Sequence, residues 1–487
     1  MFDCALSKSE LEKICEFPNY IKKYQERDED LTRFAYSNAY VIRKMFLYPK
    51  FFEIYFGIEH GITINDEILK EDIIQDIDIA LYGRKRKKDN YYGIKLINIE
   101  YPFLFYKRKF NIKQKKNAKG TIVFPMHASL HISREYDIYS YIKELKNLPK
   151  EFHPLLICLH YSDVLKGHHH IWYDEGFYVT SAGNGYREDF VKRFYKILSS
   201  VKYATANETT SSLFYAVDFG IPFFLYGNRK VKDVKLHSVA EKYALNNYKM
   251  DFAKKYGVEK YFNKITTTIS KEQKEYVDKV LGKDEKKTNR LYVSLILYRE
   301  WIKAQIKKIK RFIEVTKLKK YSKYLTQGIL THMTKEEQLS LIKYAINKEV
   351  VEIGSFLGAN TVNIAKVAKK IYALDNWNRH FEGVFLEFKK NIENYNNIFV
   401  FNDAFDNIYR NFSQKVDVVI VDGEHDTLEH VCRDVNFALK ILKNKGILII
   451  HHLRWTPFVK MCLWEKRNKV KRINNLKNLW IGVKVED

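Results

Sequence analysis

At 487 residues, with 46% hydrophobic, the chain is too long for one ordinary domain and apolar enough for sizeable cores, so two or three domains are expected. Its formal charge of +25 admits nucleic acid, anionic lipid or phosphorylated substrates as partners, although abundant Lys, Asn, Ile and Tyr also fit a biased base composition. The five cysteines lack paired spacing, no apolar run approaches a bilayer span, and MFDCALSKSELEKICEF has no apolar signal core. A cytoplasmic protein with reduced thiols is the expectation.

Residues 1 to about 50 read as helices, with Leu11, Ile14 and Cys15 periodic up to the break at Pro18, and then Phe34 to Tyr48. Phe51 to Ile64 (FFEIYFGIEHGITI) is strand-like, and Ile77–Tyr82 and Lys95–Ile99 predict two further strands. The basic stretch Lys107 to Lys119 predicts an interdomain linker. Gly120–Pro125 is a strand stopped by proline. Strand and helix signals then alternate: helix over 137–148, strands over 154–159 and 177–181, helix over 189–200, strand over 202–206, helix over 209–219, strand over 221–225. That alternation predicts a doubly wound α/β domain. His168-His169-His170 reads as a polar loop, since no spaced partner accompanies it.

Three places in this region resemble the nucleotide-sugar and nucleotide-polyol transferases of the GT-B architecture. They are the G-I-x-H-G turn at Gly57–Gly61, the F-P-x-H-x-S strand end at Phe124–Ser129, and the segment ATANETTSSLFYAVDFGIPFFLYG at Ala204–Gly227. Thr209, Thr210, Ser211 and Ser212 offer hydroxyls and amides at a helix start, a seat for the diphosphate of a nucleotide-sugar or nucleotide-polyol donor. His60 and His127 sit at strand ends, where such a cleft would place a base or a phosphate contact. Many relatives carry a glutamate where this chain has Tyr215, so the donor is left open.

From Asn228 to about Tyr324 the chain reads as charged, helical and free of strands. Trp301, Ile302, Ile306, Ile309, Phe312 and Ile313 share one helical face, and Lys303, Lys307, Lys308, Lys310 and Arg311 ring the rest. A connector between domains, a partner helix and a helix lying on anionic membrane are all consistent with that pattern.

Val350 to Asp375 (VVEIGSFLGANTVNIAKVAKKIYALD) then reads as a βαβ unit, with Gly354 and Gly358 in its first turn and a carboxylate closing its second strand. Glycines admit a nucleoside ligand to the backbone, and a carboxylate ~20 residues on accepts from ribose hydroxyls. Further on come the strand Val416–Val421, the run Asp422-Gly423-Glu424-His425, a helix over 428–442, a turn at Lys443–Gly446, and the strand Ile447–Ile450 ending in His451-His452.

This ordered string resembles the S-adenosylmethionine-dependent methyltransferases of the Rossmann-like class, in their small-molecule and sugar branch, from about Leu325 onward. The resemblance implies that Glu352, Gly354, Ser355 and Gly358 hold the methionine end of the cofactor. It implies Asp375 at the ribose with Trp377 beside it, and Asp403 with Ala404 at the adenine. Asp422 and His425 would face the reacting centre, with His425 as base and His451 or His452 second. Relatives often carry His-Asp where this chain has His451-His452, and some hold a divalent metal with that Asp and the earlier strand-end Asp, here Asp422. A softer ion such as zinc would suit His452, whereas magnesium prefers oxygen, so the metal stays open.

The expectation is therefore a multidomain α/β protein. A GT-B-like pair of doubly wound halves (1–118 and 119–230) and a basic helical connector (231–324) precede a methyltransferase domain (325–487). Its function would be O-methylation, together with a glycosyltransferase-like activity, on a glycan or lipid-linked glycan of a bacterial surface polysaccharide. Two rivals remain: a non-catalytic glycan-binding N-terminal module, and a methyltransferase of nucleic acid. The second lacks both a recognition motif and the Asn/Asp-Pro-Pro-Tyr loop of base methyltransferases.

Overall fold

The structure, a computed structural model, describes residues 2–21, 32–64, 66, 68, 72–73, 77–127, 132–228, 233–236, 256–377, 380–476 and 478–485. Contacts divide the chain into two compact units, Met1–Ile68 with Ile77–Trp301, and Leu69–Asp76 with Ile302–Asp487. Ala128 and Ser129 of the predicted strand-end motif lie outside the described residues.

The first unit contributes eleven described strands: β1 (Gly57–Ile58), β2 (Ile79–Tyr82), β3 (Asn90–Tyr91), β4 (Ile94–Asn98), β5 (Thr121–Phe124), β6 (Ile132–Glu135), β7 (Leu155–Cys158), β8 (Tyr178–Thr180), β9 (Tyr203–Ala206), β10 (Phe223–Leu225) and β11 (Asp233–Leu236). One sheet runs β1-β2-β4-β3, and a second, all parallel, runs β10-β9-β5-β7-β8. Counted from β5, skipping the separately paired β6, that order is 3-2-1-4-5 read from the β8 edge, the doubly wound arrangement. Alternate side chains serve opposite faces: Ile122, Phe124 and Leu156 join one apolar cluster, while Val123, Leu155 and Ile157 join another.

The second unit holds β12 (Glu349–Ile353), β13 (Lys370–Asp375), β14 (Ile398–Asn402), β15 (Val416–Val421), β16 (Leu442–Ile450), β17 (Val470–Leu476) and β18 (Leu479–Lys484). They form one sheet in the order β14-β13-β12-β15-β16-β18-β17. The first five are parallel, and β18 and β17 close the edge antiparallel. Val351, Ile353, Val419 and Val421 pack on one face, and Val350, Val418 and Ile420 on the other. Burial of both faces explains why these strands read as unbroken apolar runs. The chain leaves β12 toward β13 and later returns on β12's other side as β15. That reversal opens a crevice at the carboxyl ends of the two strands.

The protein is thus a multidomain, mixed α/β chain with a Rossmann-like C-terminal sheet. Several local expectations are corrected. Lys107–Lys119 is no linker: Pro102–Lys109 is a helix that buries Phe103, Leu104, Phe105 and Tyr106, and Lys107 pairs with Asp218. Counting charge there hid the apolar turn beside it. Of the Phe51–Ile64 run only Gly57–Ile58 is a strand. The stretch after Asn228 is not free of strands, because β11 pairs antiparallel with β6. Four residues are too few for periodicity to register. Phe34–Tyr48 is broken, with Tyr36 and Ser37 at positive φ before the helix Asn38–Phe46. Lys443–Gly446 bulges within β16, where the register skips from Val416↔Leu442 to Val418↔Ile447 and Lys445 takes a φ of +59°.

The helix Arg290–Leu318 carries the predicted apolar stripe, and Ile302, Ile306, Ile309, Phe312 and Ile313 are exposed. Among the described residues no helix is long and apolar enough to cross a membrane.

Candidate functional site

The crevice between β12 and β15 begins at Gly354, whose φ of +85° favours glycine. A Cβ at Gly354 would lie 2.3 Å from the carbonyl oxygen of Asp422, so the two strand ends meet with no side chain between them. Gly358, also at +85°, starts the helix Ala359–Ala365 against the ring of Phe388.

Asp375, 4% exposed at the end of β13, turns its carboxylate onto that loop. The amides of Ser355 and Phe356 each donate to its Oδ2 at 2.8 Å. Its Oδ1 lies 3.2 Å from His380 Nε2, and that hydrogen bond holds the His380 pKa above its ordinary value. Trp377, buried against Phe385 and Phe388, donates its indole N–H to the Phe356 carbonyl at 2.7 Å. Glu352 is buried and accepts from the hydroxyls of Ser355 and Thr361. Burial first, then the carboxylates of Asp422 and Asp375, push its pKa up to about 8, so it carries a proton at neutral pH. Asp403 and Ala404 follow β14 on the same sheet edge and are exposed. Asp403 Oδ1 accepts from the Ala404 amide at 2.6 Å and from Asn407 Nδ2 at 3.2 Å, bracing the helix Phe405–Asn411.

Beside this loop, two histidines reach one carboxylate and a third reaches the second of them. Val421 and Ile450 are register partners, which brings Asp422 and His451 to the same level. His451 Nδ1 is 2.8 Å from Asp422 Oδ1, and His452 Nε2 is 3.5 Å from the same oxygen. His452 adopts a φ of +67°, its Nδ1 lies 3.1 Å from His425 Nδ1, and its ring stacks on Trp455. Burial lowers the His425 pKa to about 3 and the His452 pKa to about 4, so both rings are neutral at physiological pH. Ligand atoms of Asp422, His451 and His452 all lie within 4.8 Å of one another, close enough for the three to hold a metal ion. The sequence-predicted cofactor and catalytic residues of this unit therefore gather along one sheet edge.

In the first unit the corresponding crevice lies between β5 and β9. Asn207 bridges it, accepting from the Met126 amide at 2.6 Å. His127 follows β5 and stacks on His160 at 4.1 Å. Thr209 and Thr210 precede the helix Ser211–Phe219, and their hydroxyl oxygens are buried with no partner. Ser211 Oγ accepts from the Ile62 amide at 2.9 Å, tying the Gly57–Gly61 turn to that helix start. In that turn His60 leaves a buried Nδ1 unpartnered, while Glu59 is locked by Arg86 at 2.6 Å. Ser212 stands one residue further into the helix, half-buried. Tyr215 is core, stacked on Phe103 at 4.4 Å.

Sequence reasoning missed Glu337, His380 and Trp455, each brought to the C-terminal site from outside its motifs. It also misread the histidine tract: His169 and His170 begin a helix, and His169 Nε2 meets Glu12 Oε1 at 3.0 Å. The partner sits on the helix Lys8–Cys15, too far along the chain for spacing to reveal.

Residues 351–453 match the family model described as a methyltransferase domain. The chain is also similar to three solved structures, each over about a third of its length. One is the precorrin 8W decarboxylase of Methanobacterium thermoautotrophicum (13% identity, 34% of this chain and 98% of that one, TM-score 0.26). Another is the N-methyltransferase NodS of Bradyrhizobium japonicum (14% identity, 31% and 96%, TM-score 0.25). The third is the SAH-bound methyltransferase PaMTH1 of Podospora anserina (11% identity, 32% and 80%, TM-score 0.27). No curated protein matches the chain. The C-terminal unit therefore contains a methyltransferase domain, built on the Rossmann-like sheet.

Proposed function

We propose that the C-terminal unit transfers the methyl group of S-adenosylmethionine to an acceptor hydroxyl. The observation that carries this reading is the juxtaposition of the Gly354 turn with Asp375 at the reversal point of the sheet. A carboxylate offers about four acceptor positions, and Ser355, Phe356 and His380 engage three. The fourth, on Oδ1, is available to a ribose hydroxyl. Glu352, neutral in the free chain, can exchange its proton for the cofactor's ammonium. The acceptor oxygen forms its bond to the methyl carbon as the carbon–sulfur bond breaks and the sulfonium becomes a thioether. Positioning supplies much of the rate. With His425 Nδ1–H donating to His452 Nδ1, His425 Nε2 is left to take the proton as the new carbon–oxygen bond makes that oxygen an acidic oxonium. That Nε2 is buried and unpartnered. The acceptor class we favour is a sugar hydroxyl of a bacterial surface polysaccharide.

The experiment is calorimetric titration of the full chain with S-adenosylhomocysteine, comparing wild type with Asp375→Ala. Binding to the first and its loss in the second is expected, and equal binding to both would refute the reading.

A second reading concerns the first unit. The orphaned hydroxyls of Thr209 and Thr210, close to a helix start, favour a seat for the diphosphate of a nucleotide-sugar or nucleotide-polyol donor. Tyr215, being core, cannot make the sugar contact that a glutamate makes in the relatives it resembles. Absence of hydrolysis and transfer across a panel of nucleotide sugars would leave a glycan-binding module instead.

A further inference from the structure

We propose that Asp422, His451 and His452 form a binding site for a borderline divalent transition ion of the zinc and cobalt class, and that the site discriminates against magnesium. The proposal stands apart from the methyl-transfer reading, because binding of the ion requires none of its cofactor.

Spacing is the first support. Donor atoms around a tetrahedral ion with bonds of ~2.1 Å lie roughly 3.4 Å apart. Asp422 Oδ1 is 2.8 Å from His451 Nδ1 and 3.5 Å from His452 Nε2, so small side-chain shifts suffice. The backbone prepares this: register pairing sets Asp422 beside His451, and the left-handed conformation of His452 brings a second imidazole to the same oxygen. A non-glycine residue held at positive φ is strain of the kind that functional sites retain.

The second support is what lies behind each ring. An ion on His451 Nδ1 leaves the proton on Nε2, and an ion on His452 Nε2 leaves it on Nδ1. His451 Nε2 is fully buried, has no partner, and faces Glu337 Oε2 at 4.0 Å. Without an ion, a neutral His451 ring that donates Nδ1–H to Asp422 turns a bare Nε2 lone pair toward a carboxylate. With an ion the far nitrogen becomes a donor 4.0 Å from that carboxylate oxygen, which also accepts from the Thr334 amide and hydroxyl. A small shift would complete the outer arrangement that orients metal-bound histidines. His452 has its own outer partner, since its Nδ1 is 3.1 Å from His425 Nδ1. For the metal-bound tautomers His452 thus has an acceptor in contact, His425 Nδ1, and His451 has a carboxylate oxygen 4.0 Å behind it.

The donor set decides the ion. Two imidazoles and one carboxylate suit zinc, cobalt or nickel, whereas magnesium requires a near-octahedral shell of oxygens. Three protein ligands leave a position open, as catalytic sites do. A bound ion would lower the pKa of an oxygen laid against it. His425 then accepts from His452, and its Nε2 meets the acceptor oxygen as a donor instead of a base.

The test uses the full chain, stripped with chelator and titrated with Co²⁺ while visible absorption is followed. One equivalent should bind with d–d bands of low coordination number, zinc should displace it, and millimolar magnesium should not. His451→Ala and His452→Ala should abolish the bands, with far-UV circular dichroism confirming the fold. Glu337→Gln keeps an oxygen for the Thr334 cap and removes the negative charge behind His451. It should weaken Co²⁺ binding about 10- to 100-fold. Absent bands, equal competition by magnesium, or undiminished binding in both alanine variants would overturn the proposal. S-adenosylhomocysteine titration of the same samples separates the two ideas. Cobalt without the thioether would leave this site standing alone, and the thioether without cobalt would remove it.

Discussion

Gly354 and Asp422 meet backbone to backbone: a Cβ on Gly354 would lie 2.3 Å from the Asp422 carbonyl oxygen, and Gly354 holds a φ of +85°. Gly354→Ala therefore meets two penalties, about 1–2 kcal/mol for left-handed backbone and about 1–3 kcal/mol for overpacking. Because the loop carries the Ser355 and Phe356 amides on Asp375, relief must come by moving that loop. We expect a clear fall in melting temperature and at least tenfold weaker S-adenosylhomocysteine binding by calorimetry. An alanine variant with unchanged affinity would show that the loop does not touch the ligand.

Glu352 predicts a pH signature. Its pKa rises from 4.5 to about 8 in the folded chain. Between those values the native state keeps a proton that the unfolded chain has released, so this group makes stability fall as pH rises, by up to ~1.4 kcal/mol per pH unit. Above about pH 8 the loss is complete. Glu352→Gln keeps an acceptor for the Ser355 and Thr361 hydroxyls and removes the titration. Thermal melts from pH 5 to 8 should show the variant gaining steadily on the wild type. Parallel curves would refute the assignment.

The parts of this site that the sequence displayed are those encoded locally. Glycine, apolar period and strand-end acid fall within one βαβ unit, and pairing of β12 with β13 and β15 carries Gly354, Asp375 and Asp422 to one edge. Glu337 was hidden. Thr334 and Glu337 spell a capping box, which explains the glutamate without reference to His451. Only tertiary packing brings that same capping oxygen, Oε2, to 4.0 Å from the ring. The β6–β11 pair was hidden for a related reason: each strand is four residues long, and what stabilises it is a partner distant in sequence. The burial of Phe103 to Tyr106 was masked by the lysines and arginine that follow them in the same helix.

Independence of the C-terminal unit is the next expectation. Its two largest described apolar clusters, on opposite faces of the seven-stranded sheet, draw their buried members from Leu318 onward. A fragment of residues 302–487 should melt cooperatively and bind S-adenosylhomocysteine within about threefold of the full chain, since a unit with its own core can fold alone. A fragment that is soluble but shows no cooperative transition would contradict this.

Thr209 and Thr210 allow ligand binding and stability to be pulled apart. Their hydroxyls are buried without partners, and an unpaired buried polar group destabilises by about 1–3 kcal/mol. Valine matches threonine in shape and lacks the hydroxyl. The double variant Thr209→Val/Thr210→Val should therefore melt at the wild-type temperature or above it. If the hydroxyls serve a diphosphate, the same variant should bind nucleoside diphosphates at least tenfold more weakly in calorimetry. A lowered melting temperature would mean that the hydroxyls support the fold. Unchanged nucleotide affinity, measured against a wild type that binds, would move the diphosphate seat away from this helix start.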